Sequence, residues 1–198
     1  MQMKKEAIKQ DILAAAEKEF LKRGFKNSSM RTIAAKSHTT LGNLYHYFKN
    51  KEAILDEIIG DMPEKVYKVL KEHESHLVPF NLTKEEMENN FDDLADTYMP
   101  KFFPLEILLS NSLLILLEGC EGTKYEPFRQ SFFELFQKHI AVHLKVGANS
   151  FLAKSIAYGF MSSLLFIGKN KKSMEEGKRD LINYIKAMVF GMPIQKKQ

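Results

Sequence analysis

The chain has 198 residues, 44% of them hydrophobic and 27% charged, which is typical of a globular protein with a substantial core. Residues 1–11 lack the apolar segment of a signal peptide, and polar residues interrupt the most apolar run, 102–117, so we expect a cytoplasmic protein without membrane spans. A single cysteine, Cys120, excludes an intramolecular disulfide framework.

The charge is unevenly distributed along the chain. Residues 1–51 contain 11 Lys or Arg and 4 Asp or Glu, a balance of +7, whereas the remainder contains 18 and 21, a balance of −3. A basic head on a slightly acidic body is typical of a polyanion-binding module joined to a second domain. Charge alone does not distinguish DNA from RNA or from an anionic membrane.

Helical periodicity runs through almost the whole chain and predicts an all-α fold. A first helix ends near Gly24, because glycine adopts positive φ without steric cost. Ser28 or Ser29 can cap a second helix, and Thr39 or Thr40 a third. A fourth helix, capped by Asn50, is predicted to break at 60–63 and to resume to about residue 74. The remaining helices are predicted at 83–98, 104–118, 127–147, 150–168 and 173–191.

The segment from residue 28 to residue 51 predicts two short helices joined by a tight polar turn at 37–40. Met30, Ile33 and Ala34 can face a small core from the first of them, and Leu44 and Phe48 from the second. Such a helix-turn-helix can lay its second helix in the major groove of DNA. The outer face of that helix then carries Leu41, Gly42, Asn43, Tyr45, His46 and Tyr47.

This segment resembles the N-terminal domain of the tetracycline-repressor (TetR) family. The resemblance lies in three runs with unbroken spacing: residues 20–25, residues 28–34 and residues 40–55. Two positions depart from the family pattern. His38 replaces the usual glycine of the turn, and Tyr47 replaces a usual histidine.

The resemblance implies which residues contact DNA. Tyr45 and Lys51 take the positions of phosphate-contacting residues, and the N-terminus of the fourth helix adds its own amides. Arg31 and Asn43 sit where members of the family read base edges, and Gly42 leaves room for close approach. The full predicted set is Ser29, Arg31, Thr40, Leu41, Gly42, Asn43, Tyr45, Tyr47, Lys49 and Lys51.

The resemblance also implies the domain organisation. Residues 1–51 would form the three-helix DNA-binding domain, and residues 52–198 a larger helical domain (about nine helices) for effector binding and dimerisation. Two heads about 34–36 Å apart would meet successive major grooves of a palindromic operator, so we expect a homodimer. The predicted interface is Leu152, Ser155, Ile156, Gly159, Phe160, Ser163, Ile182, Ile185 and Val189, although both stripes could be intrachain core.

The middle helices are rich in large apolar residues, which in the resembled family line an effector pocket. Their composition favours a small hydrophobic or amphipathic effector. The candidate pocket residues are Phe91, Tyr98, Phe102, Phe103, Leu108, Asn111, Ser112 and Phe132, each of which could instead be plain core.

Catalysis, metal binding and cofactors are not expected. The sequence has no GxSxG, P-loop or Rossmann fingerprint, so we predict that the protein is not an enzyme. His139 and His143 are four residues apart, but no HExxH pattern accompanies them. Cys120 is a lone thiol and more typical of a buried residue than of a redox sensor.

The sequence therefore predicts a ligand-responsive, dimeric repressor that binds double-stranded DNA and no membrane. Three alternatives remain open: an architectural or nucleoid factor of the same fold without an effector, an activator, and a helical small-molecule carrier with a vestigial head.

Overall fold

The computed structural model of the chain describes residues 2–75 and 104–190, without the side chains of 2–4, 73–75, 143 and 189–190. All regular structure in these ranges is helical, which confirms the predicted all-α class. The helix predicted at 83–98 lies outside the described residues. The described helices are α1 Gln2–Arg23, α2 Met30–Lys36, α3 Leu41–Tyr47, α4 Lys51–Ile59, α5 Met62–Ser75, α6 Leu105–Leu108, α7 Asn111–Glu118, α8 Phe128–Leu144, α9 Phe151–Asn170 and α10 Met174–Phe190.

The described residues divide into two compact units. The first unit combines residues 2–63 with residues 111–132, and the second combines residues 64–75 and 104–110 with residues 133–190. The division predicted between residues 51 and 52 is a functional one and stays a prediction. The first unit nevertheless contains a segment, 111–132, that the sequence had assigned to the second domain.

The caps predicted for the N-terminal helices are confirmed. The Ser29 hydroxyl accepts a hydrogen bond from the Thr32 amide (3.1 Å), and the Thr40 hydroxyl accepts one from the Asn43 amide (3.1 Å). Asn50 Oδ1 accepts from the Ala53 amide at 2.8 Å. These bonds satisfy donors that the first helical turn leaves unpaired.

The helix stops near Gly24 and Pro63 also agree with prediction. Gly24 has φ +74°, and its amide donates to the Phe20 carbonyl (2.9 Å) directly after α1. The break before Pro63 is made by Gly60, whose φ of +54° ends α4 before α5 begins at Met62.

Two predicted helices end differently in the structure. The single helix expected over 104–118 is two helices, because the chain turns at Leu109 and the Ser110 hydroxyl donates to the Ile107 carbonyl (2.7 Å). The helix expected to run to Gly147 stops at Leu144. Lys145, with φ +55°, makes the left-handed turn, and the Val146 amide bonds back to the Ala141 carbonyl.

Helix α1 organises the first unit, since α2, α4 and α7 all contact it. Ile12 and Phe20 from α1 are buried, as are Ile33 from α2 and Leu55 from α4. Residues 113–117 of α7 are buried on every side. Helix α1 thus connects the helix-turn-helix to α4 and α7.

In the second unit, α9 packs against α10, and α6 also contacts α10. The Phe136 ring of α8 stacks on the Phe160 ring of α9, with centroids 4.3 Å apart. A hydrogen bond from Lys178 lowers the pKa of Glu106 and joins α10 to α6. By length and composition alone, α9 could cross a membrane, a test that a core helix also passes.

Candidate nucleic-acid interface

The turn between α2 and α3 is closed by His38 in the left-handed conformation. His38 has φ +53°, the Thr39 amide donates to the Ala34 carbonyl (3.0 Å), and the His38 amide donates to the Ala35 carbonyl (3.4 Å). Helices that end with this pair of bonds usually have glycine as the left-handed residue. Histidine is among the residues that adopt positive φ more readily than most, so it can take the place of glycine in this turn.

Helix α3 exposes one face because its other face is buried. Leu44 lies in the core with no exposed surface, and Phe48 just beyond the helix is also buried. The exposed residues Gly42, Tyr45 and His46 follow at spacings of three and one, which places them on one side of the helix, and the exposed Lys49 lies two residues beyond its end. Tyr45 keeps 51% of its surface exposed. His46, to which no contact role had been given, belongs to the same exposed face.

The structure brings the ten predicted DNA-contacting residues onto α2, α3 and the start of α4. The exposed members are Ser29, Arg31, Thr40, Gly42, Tyr45 and Lys49, and the half-buried members are Leu41, Asn43, Tyr47 and Lys51. The Asn43 side-chain amide donates to the Thr39 hydroxyl at 2.7 Å, which restrains its orientation. Their contact with DNA stays a prediction.

Ion pairs reduce the charge that the basic head can offer to a polyanion. Lys9 pairs with Glu57, Lys26 with Glu121 and Lys36 with Glu19. Within the described part of the chain, neither Arg31 nor Lys49 has an ion-pair partner. These two exposed cations, one on α2 and one just after α3, are therefore the better candidates for phosphate or base contact.

Lys51 has a structural environment that the sequence did not reveal. Its ammonium group donates to the carbonyls of Phe25 (2.6 Å) and Ser28 (2.7 Å) and lies 4.1 Å from the centroid of the Phe25 ring. Burial lowers the pKa of this ammonium group. Both partners are more than 20 residues away in sequence, so helical spacing gave no sign of them.

A buried carboxylate beneath the helix-turn-helix was also missed. Glu19 of α1 has no exposed surface and pairs with Lys36, the last residue of α2. Arg23 Nε lies 3.4 Å from the other carboxylate oxygen. The sequence does not show that an acidic residue in a basic segment is buried. The position of Glu19 next to Phe20, on the inner side of α1, was only a weak indication of its burial.

Four of the eight candidate pocket residues fall within the described part of the chain, and they are divided between the two units. Phe91, Tyr98, Phe102 and Phe103 lie outside the described residues. Leu108 is buried in the second unit and Phe132 in the first. Asn111 donates to Glu17 of α1 (3.0 Å) and Ser112 to the Ile58 carbonyl of α4 (2.7 Å), so these two side chains are engaged inside the first unit.

The predicted dimer residues divide into exposed and buried groups. Phe160 is only 2% exposed and packs on Phe136, so as intrachain core it is not available to a second chain. Leu152 and Ser155 are exposed, whereas Ile156, Gly159, Ser163, Ile182 and Ile185 are half-buried, and the Val189 side chain is not described. The most exposed large side chains of α9 are instead Phe151 (89%), Phe166 (70%) and Tyr158 (60%), all outside the predicted set.

Cys120 and the described histidines differ in burial and in what is known of their surroundings. Burial raises the pKa of the Cys120 thiol to about 12, so the thiol stays protonated near neutral pH and is a poor nucleophile. His139 is buried beside Phe136, and the His143 side chain is not described. Over residues 2–75 and 104–190, no three metal-binding side chains cluster.

Gly42→Ala is expected to weaken DNA binding without harming the fold. A Cβ at Gly42 would meet nothing within 4 Å inside the chain, so alanine should leave stability unchanged or raise it by up to about 1 kcal/mol. On the exposed face the same methyl group would separate α3 from DNA, and we expect an affinity loss of about tenfold. Fluorescence anisotropy with a bound duplex measures this.

Gly147→Ala is the matched control, because a Cβ there also meets open space but lies far along the chain from α3. If Gly42→Ala binds DNA as tightly as Gly147→Ala, close approach at Gly42 is not part of recognition.

Residues 12–58 match the family of bacterial regulatory proteins described as the tetR family. The uncharacterized HTH-type transcriptional regulator YfiR of Bacillus subtilis (strain 168) is 29% identical over 133 residues, which cover 66% of this chain and 64% of YfiR. The HTH-type transcriptional repressor KstR2 of Mycolicibacterium smegmatis (strain ATCC 700084 / mc(2)155) is 37% identical over 51 residues, 26% of this chain and 25% of KstR2.

Among solved structures, a transcriptional regulator from Aquifex aeolicus VF5 is similar with 19% identity and a TM-score of 0.46, covering 90% of this chain and 98% of that one. The chain spans less than two thirds of the length of either curated relative. The matched residues include the left-handed turn at His38 and the exposed face of α3, so residues 12–58 of the chain are similar to the N-terminal segment of the tetR family of bacterial regulatory proteins.

Proposed function

We propose that the protein is a repressor that binds a palindromic operator as a homodimer and leaves it when a small hydrophobic or amphipathic effector binds. The observation that carries the DNA-binding part is the exposed α3 face of Gly42, Tyr45 and His46, together with the exposed Lys49 just after α3 and the exposed Arg31 on α2. An exposed tyrosine and two cations without ion-pair partners among the described residues suit a phosphate backbone and base edges. The similarity to KstR2, itself a repressor, supports repression over activation.

The dimer is supported by an apolar surface on α9. Phe151, Leu152, Tyr158 and Phe166, which we call the α9 stripe, are all exposed. Soluble chains rarely leave several large apolar side chains together on one surface unless another surface covers them. A single head makes few phosphate contacts and binds weakly in cellular salt, so the proposed function requires a second copy.

The proposed release depends on contacts between the segment 111–125 and α4. The Ser112 hydroxyl donates to the Ile58 carbonyl (2.7 Å), the Tyr125 hydroxyl donates to Asp56 (3.0 Å), and Lys124 lies 2.9 Å from the same carboxylate. A displacement of this segment would therefore be passed to the last turns of α4. For release to follow, the effector must bind the DNA-incompetent arrangement more tightly than the competent one.

Selection of genomic fragments by the purified protein tests the proposal. At about 150 mM salt, exposed surface charges are substantially screened, so fragments retained there depend on more than long-range attraction. Footprinting of the retained fragments is expected to show a short inverted repeat at one or a few promoters. Binding to many dispersed sites would favour the architectural alternative, and no salt-dependent binding would favour the carrier.

Release is tested on the same operator. Hydrophobic and amphipathic compounds are added to the complex, and we expect one class of them to lower its affinity. If no such compound weakens the operator complex while the protein still represses its promoter, the proposal that an effector releases the protein is wrong.

A further inference from the structure

We propose that Lys51 is a positioning residue that sets the N-terminus of α2 through the loop Phe25–Ser28, and that Lys49, not Lys51, supplies the phosphate contact in this chain. The inference rests on the proposed function, because it assigns roles within the same DNA-binding head. It departs from the role that the family pattern implies for Lys51.

The first step is the geometry around the ammonium group. Two convergent carbonyls, of Phe25 (2.6 Å) and Ser28 (2.7 Å), accept two of its three protons, and the Phe25 ring covers it at 4.1 Å. Charge-assisted hydrogen bonds of this length are among the stronger ones in proteins. A phosphate could receive at most the one remaining proton unless Lys51 left both carbonyls.

The second step is the cost of leaving them. Phe25 and Ser28 are both buried residues, so their carbonyls would lose a charged partner in a region with little access to water. A surface lysine that binds a phosphate does not have to break hydrogen bonds within the protein. The geometry therefore favours Lys51 keeping its hydrogen bonds to the two carbonyls over giving them up for a bond to a DNA phosphate.

The third step is what the loop controls. The Ser28 hydroxyl donates to the Gly24 carbonyl (2.6 Å), and Ser29, the next residue, caps α2. On its other side, the loop is held by segment 111–125: the Phe25 amide donates to the Gly119 carbonyl at 2.7 Å. Lys51 and Gly119 thus hold the loop from two elements, and Arg31 is only three residues beyond Ser28.

Lys49 presents the opposite case two residues away. It is exposed, and it has no ion-pair partner among residues 2–75 and 104–190. It lies in the short connection between α3 and α4, directly after the buried Phe48. The chain therefore contains a matched pair of lysines, one turned to the protein and one to solvent.

Lys51→Met and Lys49→Met separate the two roles, with binding to the selected operator and to a scrambled duplex measured over a range of salt. A phosphate ligand contributes about 0.9 to the slope of log affinity against log salt. We expect Lys49→Met to lower the slope by about 0.9 per head and to weaken both duplexes alike. We expect Lys51→Met to leave the slope unchanged and to reduce the preference for operator over scrambled duplex by about tenfold or more.

Lys51→Arg provides the second variant should Lys51→Met fold poorly, which its thermal unfolding would reveal. Arginine keeps the charge for a phosphate but its planar fork does not reproduce a point donor between two convergent carbonyls. Positioning predicts a loss of operator preference in Lys51→Arg, with the slope retained. A lowered slope in Lys51→Met, or wild-type preference in Lys51→Arg, would overturn the inference. Failure of the proposed function would appear separately, as wild-type protein with no preference for any operator.

Discussion

Replacing Phe151 and Phe166 by glutamate is expected to convert the protein to a monomer and to weaken operator binding by about a hundredfold or more. Both side chains are mostly exposed, at 89% and 70%, so they contribute little to the core of their own chain. In a twofold dimer each charge would meet its symmetry mate across an apolar surface, which carries a high desolvation cost. Losing the second head removes an avidity gain that ranges from about a hundredfold to ten-thousandfold.

Sedimentation velocity and operator anisotropy on the same samples check this expectation. Val142→Glu with Leu144→Glu is the matched control, because it also replaces two exposed apolar side chains, in this case on α8. Far-UV circular dichroism verifies that both double variants remain helical. A dimer that survives the α9 changes, or one that only the α8 changes dissociate, would place the interface elsewhere.

The helix-turn-helix could be predicted almost residue by residue because its determinants are local. Ser29, Thr40 and Asn50 each cap a helix through an amide three residues ahead, so the signal lies within one helical turn of sequence. The strained turn was also foreseeable, since His38 stands where glycine is usual. What local spacing could not show is the partner of a side chain that bonds across the fold, as Lys51 does with Phe25.

The faces of α9 show a second limit of sequence reasoning. The helix carries apolar residues all around, with Ala153, Ala157, Phe160 and Leu164 buried and the α9 stripe exposed. Periodicity indicates a core face only when the opposite face is polar. Phe160 was therefore predicted on an outward-facing stripe although it is buried, whereas the exposed Phe151 and Phe166 were not predicted there.

The placement of α7 has the same cause. Residues 113–117 are apolar and buried on all sides, so no polar face indicated which helices surround them. Three contacts place this segment in the first unit: Asn111 with Glu17, Ser112 with Ile58, and the Gly119 carbonyl with Phe25. Each joins residues more than 50 positions apart. A chain segment that follows α6 in sequence thus supports the DNA-binding head.

Lys36→Met is expected to destabilise the protein by about 3 kcal/mol, the lower end of the range for a buried ion pair, because Glu19 is fully buried whereas the Lys36 side chain is 43% exposed. The reason is the carboxylate that remains: Glu19 has no exposed surface, and its other cation, Arg23 Nε, is 3.4 Å away. Thermal unfolding should show a decrease in Tm of about 10 °C. Lys22→Met is the matched control, because Lys22 is exposed on α1 and has no ion pair within the described part of the chain.

The double variant Glu19→Leu with Lys36→Met distinguishes a buried charge from lost packing. If the cost of Lys36→Met comes from the unpaired carboxylate, removing that carboxylate as well should restore most of the stability, because an apolar pair of similar volume is often as stable as a buried ion pair. If the cost comes from packing of the lysine stem, the double variant will be no more stable than the single one.

Operator binding by the double variant adds a second criterion, since Lys36 ends α2 immediately before the turn at residues 37–40. A double variant that regains stability but not operator preference would mean that the Glu19–Lys36 pair fixes the end of α2 against α1, a role that leucine and methionine cannot take over because their contacts are not directional.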